Sequence, residues 1–185
     1  MSKETLNVIK SRRVVRVMTD QPIEQVQLEQ ILEAARWAPV GGNHRFLRFV
    51  VIQDPLIVKL LRLVSPGMIQ RPQAVITICA DWPNVQAIGR GTDNHTPYMD
   101  IGAAMQTMLL AAHAIELGSG PVTSFNKEAV RIVLNLPENL TPELMICIGH
   151  IAPDYQMPMS PKKKITWQSL VDWGRFPNCD QQISR

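Results

Sequence analysis

Three arginines crowd the segment SRRVVRVMTDQP: Arg12, Arg13 and Arg16. A guanidinium grips a phosphate through two parallel hydrogen bonds, so such a cluster just after a helix suits a phosphate-bearing ligand. If the segment is extended, Arg12 and Arg16 share a face and Arg13 points the other way. A solvated basic turn has the same spelling. The second stretch of interest is RWAPVGGNHRFLRFVVI, Arg36 to Ile52. Pro39 stops a helix, because proline lacks an amide proton and clashes with the preceding turn. Gly41 and Gly42 let the backbone take left-handed angles and let a large group come close. A loop fixed between a helix and a strand can hold a flat or anionic ligand, although an ordinary turn also fits. The third stretch is the basic run Lys162–Lys164, which closes a polar, proline-rich segment.

Other chemistries lack their signatures. There is no Ser-His-Asp pattern, zinc spacing, Walker loop or GxGxxG opening a helix after a strand. Cys79, Cys147 and Cys179 are far apart and odd in number. Cys79 and Cys147 sit in apolar runs, which predicts buried, reduced thiols. His113 lies in a long apolar helix and is expected to be a satisfied core or interface histidine.

The elements that must position these residues follow from periodicity. A short helix is predicted over Lys3–Ser11. A second opens at Asp20 and Pro22 and runs to about Trp37, with Leu28, Ile31, Leu32 and Ala35 at the spacing of a buried face. Phe49–Ile52 is a β-branched run, predicted to be a core strand. Asp54-Pro55 caps a third helix. Ala74–Ala80 is a second buried strand, and Asp81–Pro97 is expected to be loop. Tyr98–Leu117 is the longest helix, apolar nearly all round, ended by Gly118 and Gly120 under the glycine rule. Gly120–Phe125 is extended, Asn126 caps a helix to about Leu134, and Leu144–Ile151 is a third buried strand. Helices alternating with strands over long connections predict an α+β or α/β fold with a covered central sheet.

The chain has 185 residues, 45% hydrophobic and 19% charged, so one domain with a real core is the default. A C-terminal arm is expected from about residue 154. A net charge of +3 permits an anionic ligand without demanding nucleic acid. No run approaches the ~20 apolar residues of a membrane span, and the N-terminus lacks the apolar core of a signal peptide. A cytoplasmic protein is expected, with neither nucleic acid nor membrane as partner.

The segments SRRVVR, LEQILEAARWAPVGGN, RFVVI, DIGAAMQTMLLAAHAIELGSGPVTSF, LPENL, ICIGHIAP and the basic arm before WQSLV together resemble the nitroreductase-like family of FMN-dependent oxidoreductases. The resemblance implies an α+β sandwich, a mostly antiparallel central sheet flanked by helices, in an intertwined homodimer with FMN at the interface. It implies that Arg12 and Arg16 hold the FMN phosphate and the O2/N1 edge of the ring, with Arg13 and Val14 beside them. Pro39, Val40, Gly41 and Asn43 match the loop that reaches the flavin of the partner subunit. Pro121, Val122, Thr123 and Ser124 match the stretch along the ring near N5. Lys162 and Lys164 match a basic pair that closes over the phosphate. No catalytic side chain and no metal are implied.

Departures from the family pattern concern the flavin surroundings. Val14 and Val40 stand where many members have serine, and Thr123 where some have glutamate. After Asn43 the chain reads His44, then Arg45-Phe46-Leu47, where the family often has Gln-Pro-Trp. The resemblance implies hydride transfer from NADH or NADPH, via flavin, to a small nitroaromatic, quinone or enone-like acceptor by a ping-pong mechanism. Two alternatives are a flavin-dependent dehydrogenase or oxidase of a peptide or heterocycle, and a module that binds flavin without turnover.

Overall fold

The computed structural model describes residues 2–88, 95–156 and 166–174. The chain divides into two compact units, Met1–Tyr155 and Gln156–Arg185. In the second, the described part is a 3-10 turn at Trp167–Leu170. Among the described residues of the first, six α-helices accompany a four-stranded sheet: α1 (Ser2–Ser11), α2 (Gln25–Arg36), β1 (Leu47–Ile52), α3 (Pro55–Leu63), β2 (Ala74–Asp81), α4 (Trp82–Ala87), α5 (Thr96–Ala114), β3 (Leu117–Val122), α6 (Lys127–Val133) and β4 (Leu140–His150). The sheet order is β1-β2-β4-β3 and every pairing is antiparallel. This is the α+β sandwich with a helix-flanked antiparallel sheet that the resemblance implies.

Alternation along the two central strands sorts the core into two layers, because successive strand side chains point to opposite faces. Ile76 and Ile78 of β2 and Ile146 and Ile148 of β4 pack with Ile31 of α2 and Met108 of α5. Val75, Met145 and Cys147 pack on the other side with Leu61 of α3 and Val130 of α6. Both central strands are therefore buried on both faces along their paired middle, and a run such as AVITICA carries no amphipathic signal.

Several boundaries differ from the sequence expectation. Helix α2 starts at Gln25 rather than Asp20. Glu24 and Gln27 form a reciprocal capping box there, which satisfies free amides that Asp20 is too distant to reach. Strand β1 is an edge strand with only Ile52 buried, not a core strand. The segment after β2 is not all loop: Asp81 caps α4, its side chain accepting from the Asn84 N–H at 3.3 Å. Helix α5 stops at Ala114, and the chain reverses at Glu116 with φ 63°. Gly118 and Gly120 lie inside β3 and do not end the helix. Strand β4 begins at Leu140, earlier than expected. Asp54 caps α3 as predicted, accepting from Leu56 and Ile57 N–H groups. Asn126 likewise caps α6 through the Ala129 N–H at 2.9 Å.

Cys79 and Cys147 are free and buried, and desolvation pushes both thiols up to about 12. His113 Nε2 meets Ser11 Oγ at 2.8 Å, tying α5 to α1. Among the described residues no helix is long and apolar enough to cross a membrane.

Candidate functional site

The strip after α1 is laid against β3. Val15 donates its N–H to the Ser119 carbonyl at 3.0 Å, and Val15 is buried while Arg13 and Arg16 on either side are exposed. Gly118 makes this approach possible: a Cβ there would stand 2.8 Å from Val15 Cγ1. Farther along, Met18 bridges to Ile151, and the Tyr155 hydroxyl donates to the Val14 carbonyl at 3.3 Å.

The arginines then take different places. The Arg12 N–H donates to the Val8 carbonyl at 3.1 Å, so Arg12 still belongs to the last turn of α1. The extended-strand argument for a shared face applies only beyond it. Arg12 is half-buried, and its Nη1 is buried with no hydrogen-bond partner. Arg13 folds back and donates from Nη1 to the carbonyls of Lys10 and Arg12 at 2.7 and 2.8 Å. It serves the helix terminus, where a cation is favoured by unpaired carbonyls. Among the described residues none of the three arginines has a carboxylate within ion-pair distance.

A third segment, not singled out in the sequence, joins this group. The Gly67 N–H donates to the Ser124 carbonyl at 3.0 Å and the Asn126 N–H to the Val64 carbonyl at 3.0 Å. These bonds strap residues 64–70 to the end of β3. Gln70 is 2% exposed and its Oε1 has no partner. A Cβ on Gly120 would lie 2.6 Å from Gln70 Nε2 and 3.3 Å from Val14 Cγ1. Gly120, Gln70 and Val14 therefore meet at one point, beside Pro121 and Val122. Thr123 and Ser124 follow, exposed. Gln70 gave no sequence signal because its neighbours come from β3 and the strip after α1, both remote in the chain.

The loop at Pro39–Asn43 is built differently. Gly41–Asn43 forms a 3-10 turn in which Gly42 and Asn43 take φ values of 63° and 56°. Gly41 is required by space, since a Cβ there would stand 2.2 Å from Thr96 Cγ2. Its N–H donates to Asp100 Oδ1 at 3.0 Å, and Asp100 is 5% exposed near the start of α5. A lone acid in an otherwise apolar helix was the available sign of this anchor. Pro39 is exposed and Val40 half-buried. Among the described residues no hydrogen bond joins this loop to the Arg12–Arg16 strip or to Pro121–Ser124. Lys162 and Lys164 lie outside the described residues.

Comparison with known proteins follows the same outline. The model of the nitroreductase family matches residues 9–79 and 61–150. A protein of Archaeoglobus fulgidus, whose name places it among NADH dehydrogenase/NAD(P)H nitroreductases, is 31% identical over 158 residues, 80% of this chain and 86% of its own. A Bacillus subtilis protein named FMN reductase [NAD(P)H] is 26% identical over 182 residues, covering 89% of this chain and 73% of its own. The crystal structure of a nitroreductase family protein from Clostridium difficile superposes with a TM-score of 0.79 at 26% identity, covering 92% and 98%. The matched residues include the arginine strip, the glycine loop, Gln70 and all of β3, and on that ground the chain belongs to the nitroreductase family.

Proposed function

We propose that the chain is an FMN-dependent oxidoreductase that works as a homodimer. NADH or NADPH is the donor and a nitroaromatic, quinone or enone-like compound the acceptor. The observation that carries the reading is the buried, unpartnered Nη1 of Arg12, two residues before Val14, which meets Gln70 at Gly120. An unpaired buried cationic donor is costly, and an anion seated against it removes that cost. The glycine at position 120 lets Gln70, Val14 and the Val15 carbonyl pack directly against β3.

The residues fit FMN by type. Arg12 and Arg16 would hold the phosphate and the electron-rich edge of the ring. Gln70, with a free carbonyl and a donor amide on one side chain, suits the amide-like edge of a flavin. Val14 contributes apolar contact rather than a hydroxyl. Main-chain groups of Pro121–Ser124 would line the ring. Lys162 and Lys164 are proposed to add charge at the phosphate. FMN, when bound, supplies the hydride chemistry; the protein supplies binding, orientation and electrostatics. No side chain is assigned as a nucleophile, and burial pushes the Cys79 and Cys147 thiols up to about 12, too high to form thiolates at neutral pH.

Dimerisation is proposed because the glycine loop is anchored from behind and, among the described residues, makes no hydrogen bond to its own chain's half of the site. Donor and acceptor would then use one face in turn, in a ping-pong order.

A visible spectrum of the purified protein tests the cofactor, followed by anaerobic addition of NADH or NADPH. Yellow protein bleached by either donor, and recoloured by a nitroaromatic or quinone, is the expected result. Protein that neither carries nor takes up FMN overturns the reading. Bound flavin that no donor bleaches would leave only the binding role.

A further inference from the structure

The C-terminal end of α2 carries an aromatic ring held in the open. Trp37 is 73% exposed, yet its ring is fixed by two contacts. Its Nε1 donates to Glu33 Oε1 at 2.9 Å, and the Arg36 guanidinium lies over the ring, 4.8 Å from its centroid. Arg36 in turn makes a two-pronged contact with Glu33 at 2.9 and 2.7 Å. A cation thus covers one face of the indole, and the ring is oriented without help from the core. A ring fixed in this way has already lost the freedom that stacking would cost it, so its open face suits a flat group.

Two more guanidinium groups stand beside it. Arg45 Nη1 donates to the Arg36 carbonyl at 3.5 Å, which places it against the peptide group joining Arg36 to Trp37. Arg48 Nη1 donates to the carbonyls of Arg45 and Leu47 at 3.2 and 3.0 Å. Arg45 and Arg48 are exposed and border one depression together with Arg36. Among the described residues neither has a carboxylate within ion-pair distance. Two acids lie in this neighbourhood. Glu33 is neutralised by Arg36. Asp100, in the wall of the depression, is 5% exposed and accepts the Gly41 N–H. A ligand that stays at the surface meets the two arginines and not the buried acid.

Main-chain carbonyls thus tether two uncompensated guanidinium groups, which suit a phosphate monoester. The ring next to them suits a base that stacks. Adenosine with a phosphate on its ribose satisfies both. Position narrows the nucleotide. Trp37 precedes Gly41 by four residues, so at most roughly 14 Å of chain separates it from the loop proposed to reach the partner subunit's flavin. A nicotinamide dinucleotide with its nicotinamide on that flavin has its adenosine end left to bind outside the flavin site. We propose that Trp37, Arg45 and Arg48 receive the adenosine 2′-phosphate end of NADPH, with adenine on the indole and the phosphate on the arginines, so that NADPH is preferred to NADH. For the nicotinamide end the inference rests on the FMN-dependent reading above.

Calorimetric titration of the full-length protein, saturated with FMN, tests this with adenosine 2′,5′-bisphosphate and with 5′-AMP, which lacks the 2′-phosphate. The bisphosphate should bind once per chain, and 5′-AMP at least about tenfold more weakly. An Arg45→Gln, Arg48→Gln double variant should lose roughly ten- to a hundredfold in bisphosphate affinity, the usual scale for charge-assisted hydrogen bonds. Trp37→Ala should weaken both nucleotides about tenfold, the scale of base stacking on an aromatic ring. In anaerobic bleaching of the flavin, kcat/KM should favour NADPH over NADH, and the double variant should lower that ratio by roughly ten- to a hundredfold. Equal affinity for the two nucleotides would overturn the proposal, as would bisphosphate binding that ignores the arginine substitutions. Binding seen only before FMN is added would overturn it too, because the phosphate would then occupy the flavin site. Protein that takes up no FMN sinks the cofactor reading instead, and the nucleotide titration, which needs no flavin, still decides whether the arginines form a 2′-phosphate site.

Discussion

The strip at Arg12–Arg16 and the loop at Pro39–Asn43 both carry the residue types of a ligand site, yet the chain holds them by opposite means. The strip is fastened along its length: Val15 bonds to β3, Gly118 and Gly120 leave room for the approach, and Gln70 packs against Gly120. The loop is fastened from behind, through Asp100 and the tight fit of Gly41 against Thr96. In the proposed reading, the first region is a half-site finished within its own chain. The other is a surface presented outward, which is the form expected of a part that completes someone else's site.

The largest expected effect breaks the first region alone. Arg12→Ala should weaken FMN binding roughly ten- to a hundredfold, since charge-assisted contacts are worth about 1.5–3 kcal/mol. The dimer should survive, and sedimentation beside a flavin titration would separate the two effects. Next, Gly41→Ala should break the second region by overpacking against Thr96, at about 1–3 kcal/mol of stability. Thr96→Ser removes the methyl that the new Cβ would strike, so adding it to the alanine variant should recover much of the loss in a denaturation series. An alanine variant as stable as wild type would mean that the loop has room to move.

Two buried thiols report on the sheet that carries these regions. Cys147 pairs with Gly120 across β3–β4, and Cys79 with Arg48 across β1–β2. Each folded-state value is raised to about 12. Their contribution is therefore fully present below the unfolded value near 9 and is lost as pH rises toward 12. Stability should fall over that window, and Cys147→Ala or Cys79→Ala should each flatten the slope. An unchanged alkaline slope would show that the thiols are not its source. The smallest effect is expected from Lys162→Ala with Lys164→Ala, because screening weakens exposed charges. Roughly two- to fivefold weaker FMN binding with a shallower salt dependence is the expected result by the affinity arithmetic; equal affinity and slope would remove the arm from the site.

The sequence carried the strip and the loop because both announce themselves locally, by adjacent arginines and adjacent glycines. The α+β class was legible from alternating elements, and the caps at Asp54 and Asn126 from short-range chemistry. Nonlocal features were hidden. Gln70 matters only because β3 and the strip after α1 pass beside it. Glycines 118 and 120 resembled a helix stop, but the real stop is Glu116, a non-glycine residue in the left-handed region. The edge position of β1 was likewise invisible, since FVVI has the composition of a central strand and sheet order is not written in a four-residue run.

The strand order also governs how the molecule is put together in time. β1 with β2, and β3 with β4, are strand–helix–strand units whose nearest paired residues, Ile52 with Val75 and Val122 with Met145, are close in sequence. The central seam between β2 and β4 joins residues some sixty to seventy positions apart, as Thr77 with Met145 shows. Closing the longer loop costs more chain entropy, and distant pairings slow folding. Two local units should therefore zip first and the seam should close last. Mutations along β2–β4 should then slow folding to the extent that the seam is formed as the barrier is crossed, and raise the unfolding rate by the remainder.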